Sequence, residues 1–152
     1  MKKLVSIVIP FYNEEDNIDE LYKRLLNLFE KESKYNFEII AVEHGSNDLT
    51  LTKLLAINKK DKRLKIVELS RNFGSADPGI LAGLNFAKGD AIVITMADLQ
   101  EPINLISKFI RKWEEGFEIV NGIVEKRPDA SFARRGLSIL FYKILNLMTG
   151  NI

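Results

Sequence analysis

Short runs of apolar, β-branched residues alternate along this chain with longer stretches whose apolar residues recur every three or four positions, from residue 4 to residue 120. Few folds accommodate that alternation. A run of four to eight apolar residues is strand length, and a three- and four-residue spacing marks one face of a helix. Alternating the two predicts parallel strands joined by right-handed crossovers. The expected class is therefore α/β, a mostly parallel sheet with helices on both faces.

Strands are expected over residues 4–9, 37–42, 64–69 and 117–120, with a further one inside residues 89–102. Pro10 stops the first, because proline cannot donate to a sheet ladder. The stretch 89–102 runs from Gly89-Asp90 through Ala91-Ile92-Val93-Ile94 to Asp98, Gln100 and Glu101, and Pro102 closes it. It reads as a buried strand that delivers a carboxylate to a sheet edge. Ligands of open α/β sheets sit outside the carboxyl ends of the strands, so Asp98 and Gln100 point where a substrate would lie.

Between the strands, Glu14, Glu15 and Asp16 load acid onto the first turn of a helix that runs to about Glu32, with Ile18, Leu21, Tyr22, Leu25, Leu28 and Phe29 inward. Ser46 or Asn47 is expected to cap a second helix burying Leu51, Leu54, Leu55 and Ile57. Pro78 opens a third, with Ile80, Leu81, Leu84 and Ala87 as its apolar face. A fourth covers residues 103–115 with Ile106, Phe109, Ile110 and Trp113 inward, and residues 132–148 form an apolar helix.

At 152 residues the chain suits a single domain, and its 46% hydrophobic and 28% charged residues are ordinary for a globular protein. A formal charge of +1 gives no global attraction to nucleic acid, although residues 122–143 carry a local net of +3 through Lys126, Arg127, Arg134, Arg135 and Lys143 against Glu125 and Asp129. Cysteine is absent, which excludes disulfides and thiolate chemistry and fits a reducing compartment. No run approaches the roughly 20 apolar residues that span a bilayer, and no signal-peptide core follows Met1-Lys2-Lys3. The chain closes on Thr149-Gly150-Asn151-Ile152 without an element that would complete a sheet, so it reads as C-terminally truncated.

Four strand ends bring polar groups to one edge: residues 10–14, 43–48, 70–75 and 98–101. No Gly-x-Gly-x-x-Gly follows the first strand and no Gly-Lys-Ser/Thr loop is present, so dinucleotide and P-loop chemistry lose support. A diphosphate at this edge would then need basic side chains or a metal. Asp98 and Gln100, two residues apart and both oxygen donors, suit Mg²⁺ or Mn²⁺.

Val5-Ser6-Ile7-Val8-Ile9-Pro10-Phe11-Tyr12-Asn13-Glu14-Glu15, then Val42-Glu43-His44-Gly45-Ser46-Asn47-Asp48, Leu69-Ser70-Arg71-Asn72-Phe73-Gly74, Ala82-Gly83-Leu84-Asn85 and Ala97-Asp98-Leu99-Gln100-Glu101-Pro102 occur in the order found in family 2 glycosyltransferases. The set most resembles the branch of dolichyl-phosphate mannose synthase and bacterial polyprenyl-phosphate glycosyltransferases. That resemblance implies a Rossmann-like, GT-A-type domain that binds a UDP- or GDP-linked sugar. It implies metal-assisted, inverting transfer to a polyprenyl phosphate in the cytoplasm, with peripheral contact at the inner face of the membrane. By the same resemblance Pro10, Tyr12, Asn13, Glu14, Glu43, His44, Arg71 and Asn72 would serve the nucleotide, Asp98 and Gln100 the divalent ion, and Arg135, with Arg134 beside it, the acceptor phosphate. The chain departs from the family pattern at Glu43-His44, where two aspartates are usual, at Met96, where an acid is common, and at Val124, where an arginine commonly follows the fifth strand.

Each of these residues also has a plainer reading. Asp98 could cap the following helix, Arg71 and Asn72 could organise a turn with Gly74, and the acids at residues 14–16 could serve only a helix dipole. The apolar residues of 132–148 could be core, a membrane-surface helix or a dimer contact. Two functions stay open: a glycosyltransferase, and a non-catalytic module of the same fold that at most binds nucleotide.

Overall fold

The computed structural model describes residues 2–123. The elements are β1 (Leu4–Phe11), α1 (Ile18–Lys31), β2 (Asn36–Glu43), α2 (Thr50–Lys60), β3 (Leu64–Glu68), α3 (Asp77–Phe86), β4 (Ala91–Ile94) and α4 (Leu105–Glu114). Among the described residues the strands form one parallel sheet in the order β3-β2-β1-β4.

β1 and β2 lie in the middle of the sheet and are covered on both faces, which is why they read as unbroken apolar runs and not as alternating ones. The register sets Ile7 beside Ile39 and Val93, and Ile39 beside Leu64. That face, with Val5, Ile9 and Phe37, packs against Ile18, Leu21, Leu25 and Phe29 of α1, Leu54 of α2, and Ile106 and Ile110 of α4. Val8, Ile40 and Val42 point the other way, toward Ala82 of α3. Each buried Ile or Val contributes roughly 1.5–3 kcal/mol, so these two strands dominate the stability of the sheet.

α3 approaches the sheet closely because its inward positions are glycines. A methyl carbon on Gly83 would overlap Val8 Cγ1 and come within 3.0 Å of Val42 Cγ2. The expected apolar face of this helix is therefore wrong in part: Leu81 is exposed, and Gly79 and Gly83 are the buried residues. Glycines carry no hydrophobic signal, so periodicity could not find them.

Several expectations are corrected. The strand within residues 89–102 ends at Ile94 and is buried only at Val93. Ile92 and Ile94 are exposed, because α3 lies over β1 and β2 and leaves that side of β4 uncovered. Residues 117–120 form no strand among the described residues: Gly116, at φ +97°, turns the chain out of α4, and Phe117 and Ile119 are exposed. α1 starts at Ile18, so Glu14, Glu15 and Asp16 precede the helix. The side chain that binds the start of α2 belongs to Asp48, whose Oδ1 accepts from the Thr50 N–H at 2.9 Å, and not to Ser46 or Asn47. Leu55 is exposed. No helix among the described residues is long and apolar enough to cross a membrane. The expected helix at 132–148, Arg134, Arg135 and Val124 lie outside the described residues.

Candidate functional site

The strand order fixes where a ligand can enter. From β1 the chain steps to β2 and β3 on one side, and α3 then carries it back across to β4 on the other side of β1. The crevice of such a sheet opens at the carboxyl ends of the two strands where the direction reverses. An open cleft of about 200 Å³ lies there. β1 and its loop contribute Pro10, Phe11, Tyr12 and Glu14; His44 comes from the end of β2, Asn72 and residues 74–76 from the loop before α3, and Met96 from beyond β4.

The loops after β1 and β2 are bound to each other. Asn13 sits at φ +54°, a left-handed conformation that asparagine tolerates better than most residues. Its N–H donates to Ser46 Oγ at 3.0 Å, and its Oδ1 accepts from the Asn47 N–H at 2.9 Å. The Glu14 N–H donates to Thr50 Oγ1 at 2.8 Å, the Glu15 N–H to Asp48 Oδ2 at 3.1 Å, and the Leu49 N–H to Glu15 Oε2 at 2.8 Å. Glu43 is buried, and its two oxygens accept from the N–H groups of Gly45 and Ser46 at 2.9 and 2.6 Å. Its carboxylate thus shapes the loop from within. Asn13 and Glu43, expected to touch a nucleotide, do not line the cleft, and these hydrogen bonds hold its rim.

His44 is only 2% exposed, and its Nε2 has no hydrogen-bond partner among the described residues. Burial pushes its pKa down, with the neighbouring Glu43 carboxylate pulling the other way, so the imidazole is neutral at neutral pH. The ring edge lies against Gly79 in the first turn of α3, where a methyl carbon would overlap Nε2. On the wall before α3, Asn72 both lines the cleft and closes a turn, its Oδ1 accepting from the Gly74 N–H at 2.6 Å. Arg71 is exposed and does not line the cleft; its guanidinium carbon lies 4.8 Å from the centre of the Phe73 ring.

Beyond β4, the Thr95 N–H still donates to the Val8 carbonyl at 3.2 Å, after which the chain leaves the ladder. Glu101 Oε2 accepts from Thr95 Oγ1 at 3.0 Å and from the Met96 N–H at 3.3 Å, which ties this loop to the strand end. Asp98 Oδ1 accepts from the Gln100 N–H at 3.1 Å around Leu99, whose φ of +59° is strained for a branched side chain. Asp98 Oδ2 takes no hydrogen bond from the described residues. Among the described residues no three His, Cys, Asp or Glu side chains cluster as a metal cage, and neither Asp98 nor Gln100 lines the cleft itself.

Of the expected site residues, the cleft brings together Pro10, Tyr12, Glu14, His44 and Asn72. Phe11, Gly74, Ser75 and Ala76 also line it without being among the expected site residues: they are apolar or small and carry no chemical signal. Met96 stood out only as a place where an acid is common.

The match to the model of glycosyl transferase family 2 covers residues 6–151. The chain belongs to glycosyltransferase family 2. It is 42% identical over 144 residues to the uncharacterized glycosyltransferase YkcC of Bacillus subtilis (strain 168), covering 95% of this chain and 44% of that protein. It is 37% identical over 145 residues to the prophage bactoprenol glucosyl transferase homolog of Escherichia coli (strain K12), covering 93% of this chain and 46% of that protein. This family 2 chain thus spans less than half the length of these relatives. Its fold is like that of S. aureus TarS 1–349, with a TM-score of 0.59, 21% identity, and coverage of 85% of this chain and 40% of that one. It is also like that of the mannosyltransferase PcManGT from Pyrobaculum calidifontis in complex with GDP-Man and Mn²⁺, with a TM-score of 0.53, 24% identity, and coverage of 74% and 32%. The parallel sheet with helices on both faces is of the GT-A type.

Proposed function

We infer that this chain carries the donor-binding part of a glycosyltransferase that moves a sugar from a nucleoside diphosphate to a polyprenyl phosphate, with inversion and with the help of a divalent cation. The observation that carries this reading is the cleft at the β1/β4 switch point in a family 2 chain. Nucleotides occupy that place in open α/β sheets, and here Tyr12, Glu14, His44 and Asn72 converge on it.

The electrostatics bear on the metal. No Lys or Arg is among the described residues that line the cleft, and Glu14 adds negative charge there. A divalent cation bound with the donor would offset the charge of its diphosphate there. Asp98, whose Oδ2 takes no hydrogen bond from the described residues, and the exposed Gln100 form a donor set too small for a closed cage. They fit an ion such as Mg²⁺ or Mn²⁺, which keeps several waters and takes further ligands from substrate phosphates. When bound, such a cation offsets the charge that grows on the departing diphosphate. Tyr12 and His44 would flank the nucleoside and Asn72 the far wall. An acceptor phosphate oxygen would attack the anomeric carbon as the bond from that carbon to the diphosphate oxygen breaks, giving inversion. An acceptor that is already an anion needs no general base.

The bactoprenol relatives support a polyprenyl phosphate as acceptor, and with it peripheral association with the cytoplasmic face of the membrane. Arg135 would meet the acceptor phosphate. The single carboxylate at Asp98, with Met96 where an acid is common, favours one alternative, nucleotide binding without transfer.

Two measurements on the whole chain test this. The first is calorimetric titration with UDP- and GDP-sugars with and without Mn²⁺, the cation of the Pyrobaculum complex. The second is transfer of labelled sugar to a short polyprenyl phosphate in detergent. Metal-dependent binding with transfer supports the enzyme, binding without transfer the alternative, and no binding at millimolar donor with metal defeats both.

A further inference from the structure

The geometry points to His44 as a positioning residue: its imidazole, seated against Gly79, sets the height of the first turn of α3 and so holds the wall formed by Asn72 and residues 74–76 in place. Three observations converge on this role. The ring is nearly fully buried although it borders the cleft. Its Nε2 has no hydrogen-bond partner among the described residues and is sealed from solvent, so this nitrogen cannot meet a ligand without movement of α3. Gly79 is the only kind of residue that fits, since any Cβ there would overlap the ring.

The charge state agrees with the packing. A helix N-terminus disfavours a cation, and burial favours the neutral ring. The charge that acts on the ring is Glu43 on its own strand, whose carboxylate is held by the Gly45 and Ser46 N–H groups; Glu14 lines the same cleft, and the exposed Asp77 lies in the first turn of α3. The wall that depends on this contact is short. Ile80 N–H donates to the Ala76 carbonyl at 2.9 Å, so a shift of the turn at Gly79 carries Ala76 with it.

This inference rests on the reading of the cleft as the donor site, and its test separates the two. The whole chain is compared as wild type, Gly79→Ala, His44→Ala and the double variant. Three quantities are read: thermal midpoint, hydrogen exchange of the Gly74 and Ile80 amides, held by Asn72 Oδ1 and the Ala76 carbonyl, and affinity for a UDP- or GDP-sugar with Mn²⁺. Gly79→Ala alone is expected to speed that exchange and to weaken donor binding by about tenfold or more, as a displaced wall would. In the His44→Ala background the same substitution should be neutral or raise the midpoint, because alanine suits a helix better than glycine once the space is free. Folding of the double variant where Gly79→Ala alone does not fold supports the inference as well. Additive losses in the double variant overturn it, as does a coupled change in midpoint with unchanged exchange and affinity. If the wild type binds no donor, the donor-site reading fails and the exchange pattern alone decides the positioning role: restored protection in the double variant supports it, and unaltered protection in Gly79→Ala overturns it.

Discussion

The backbone N–H of Asn13 donates to the hydroxyl of Ser46 at 3.0 Å, and this bond joins the two loops that make one side of the cleft. The joint is cooperative, because the Ser46 N–H is itself held by Glu43 and the Asn13 amide oxygen holds the Asn47 N–H. Tyr12 and His44 are therefore carried on one body rather than on two independent loops.

Asn13→Ala removes a hydrogen bond and places an unsuited side chain at φ +54°, so a loss of about 2 kcal/mol is expected in urea unfolding. Asn13→Gly keeps the backbone conformation and should lose only about half as much. Equal losses in the two variants would show that the left-handed conformation contributes nothing.

Glu38 offers a test at the opposite end of the sheet. Its buried carboxylate accepts from Ser6 Oγ at 2.6 Å, the Lys88 N–H at 2.7 Å and Lys65 Nζ at 2.5 Å. Burial acts to raise its pKa, but these bonds outweigh burial and hold it below the ordinary value of 4.5. A lowered folded pKa gives stability that is present above the unfolded value and lost as pH falls through the folded one. Glu38→Ala should cost about 2 kcal/mol at neutral pH, with the difference from wild type shrinking below pH 4.5.

Asp61 acts further into acid. The hydrogen bond from Arg63 foremost, against the effect of burial, brings its pKa from 3.8 to about 2, and Tyr22 Oη donates to the same carboxylate at 2.7 Å. Its contribution, up to about 2 kcal/mol, is complete above pH 3.8 and disappears as pH falls through about 2. Asp61→Asn should remove that acid limb from the stability profile measured by circular dichroism.

The central strands were legible because burial on both faces leaves an unbroken apolar run, as in Val5, Ile7, Val8 and Ile9. α1 was legible because only one stripe of it is covered. α3 was misread because close approach to Val8, Val42 and His44 demands glycine, which patterning ignores. The fifth strand was misread because Phe117 and Ile119 have strand-like spacing, and spacing cannot tell whether a neighbouring strand is there to pair with. At the site, residue type located the loops but not the direction of each side chain. Glu43 and Asn13 are polar and stand at the right edge, yet their hydrogen bonds are spent inside the rim.

The central claim is that Asp98 makes nucleotide binding depend on a divalent cation. It is tested most directly by titrating a UDP- or GDP-sugar into wild type and Asp98→Ala, each with Mn²⁺ and with EDTA. Wild type is expected to bind at least about tenfold more tightly with Mn²⁺, and Asp98→Ala to retain its thermal midpoint while losing that difference. An undiminished Mn²⁺ effect in a folded Asp98→Ala variant would contradict the account.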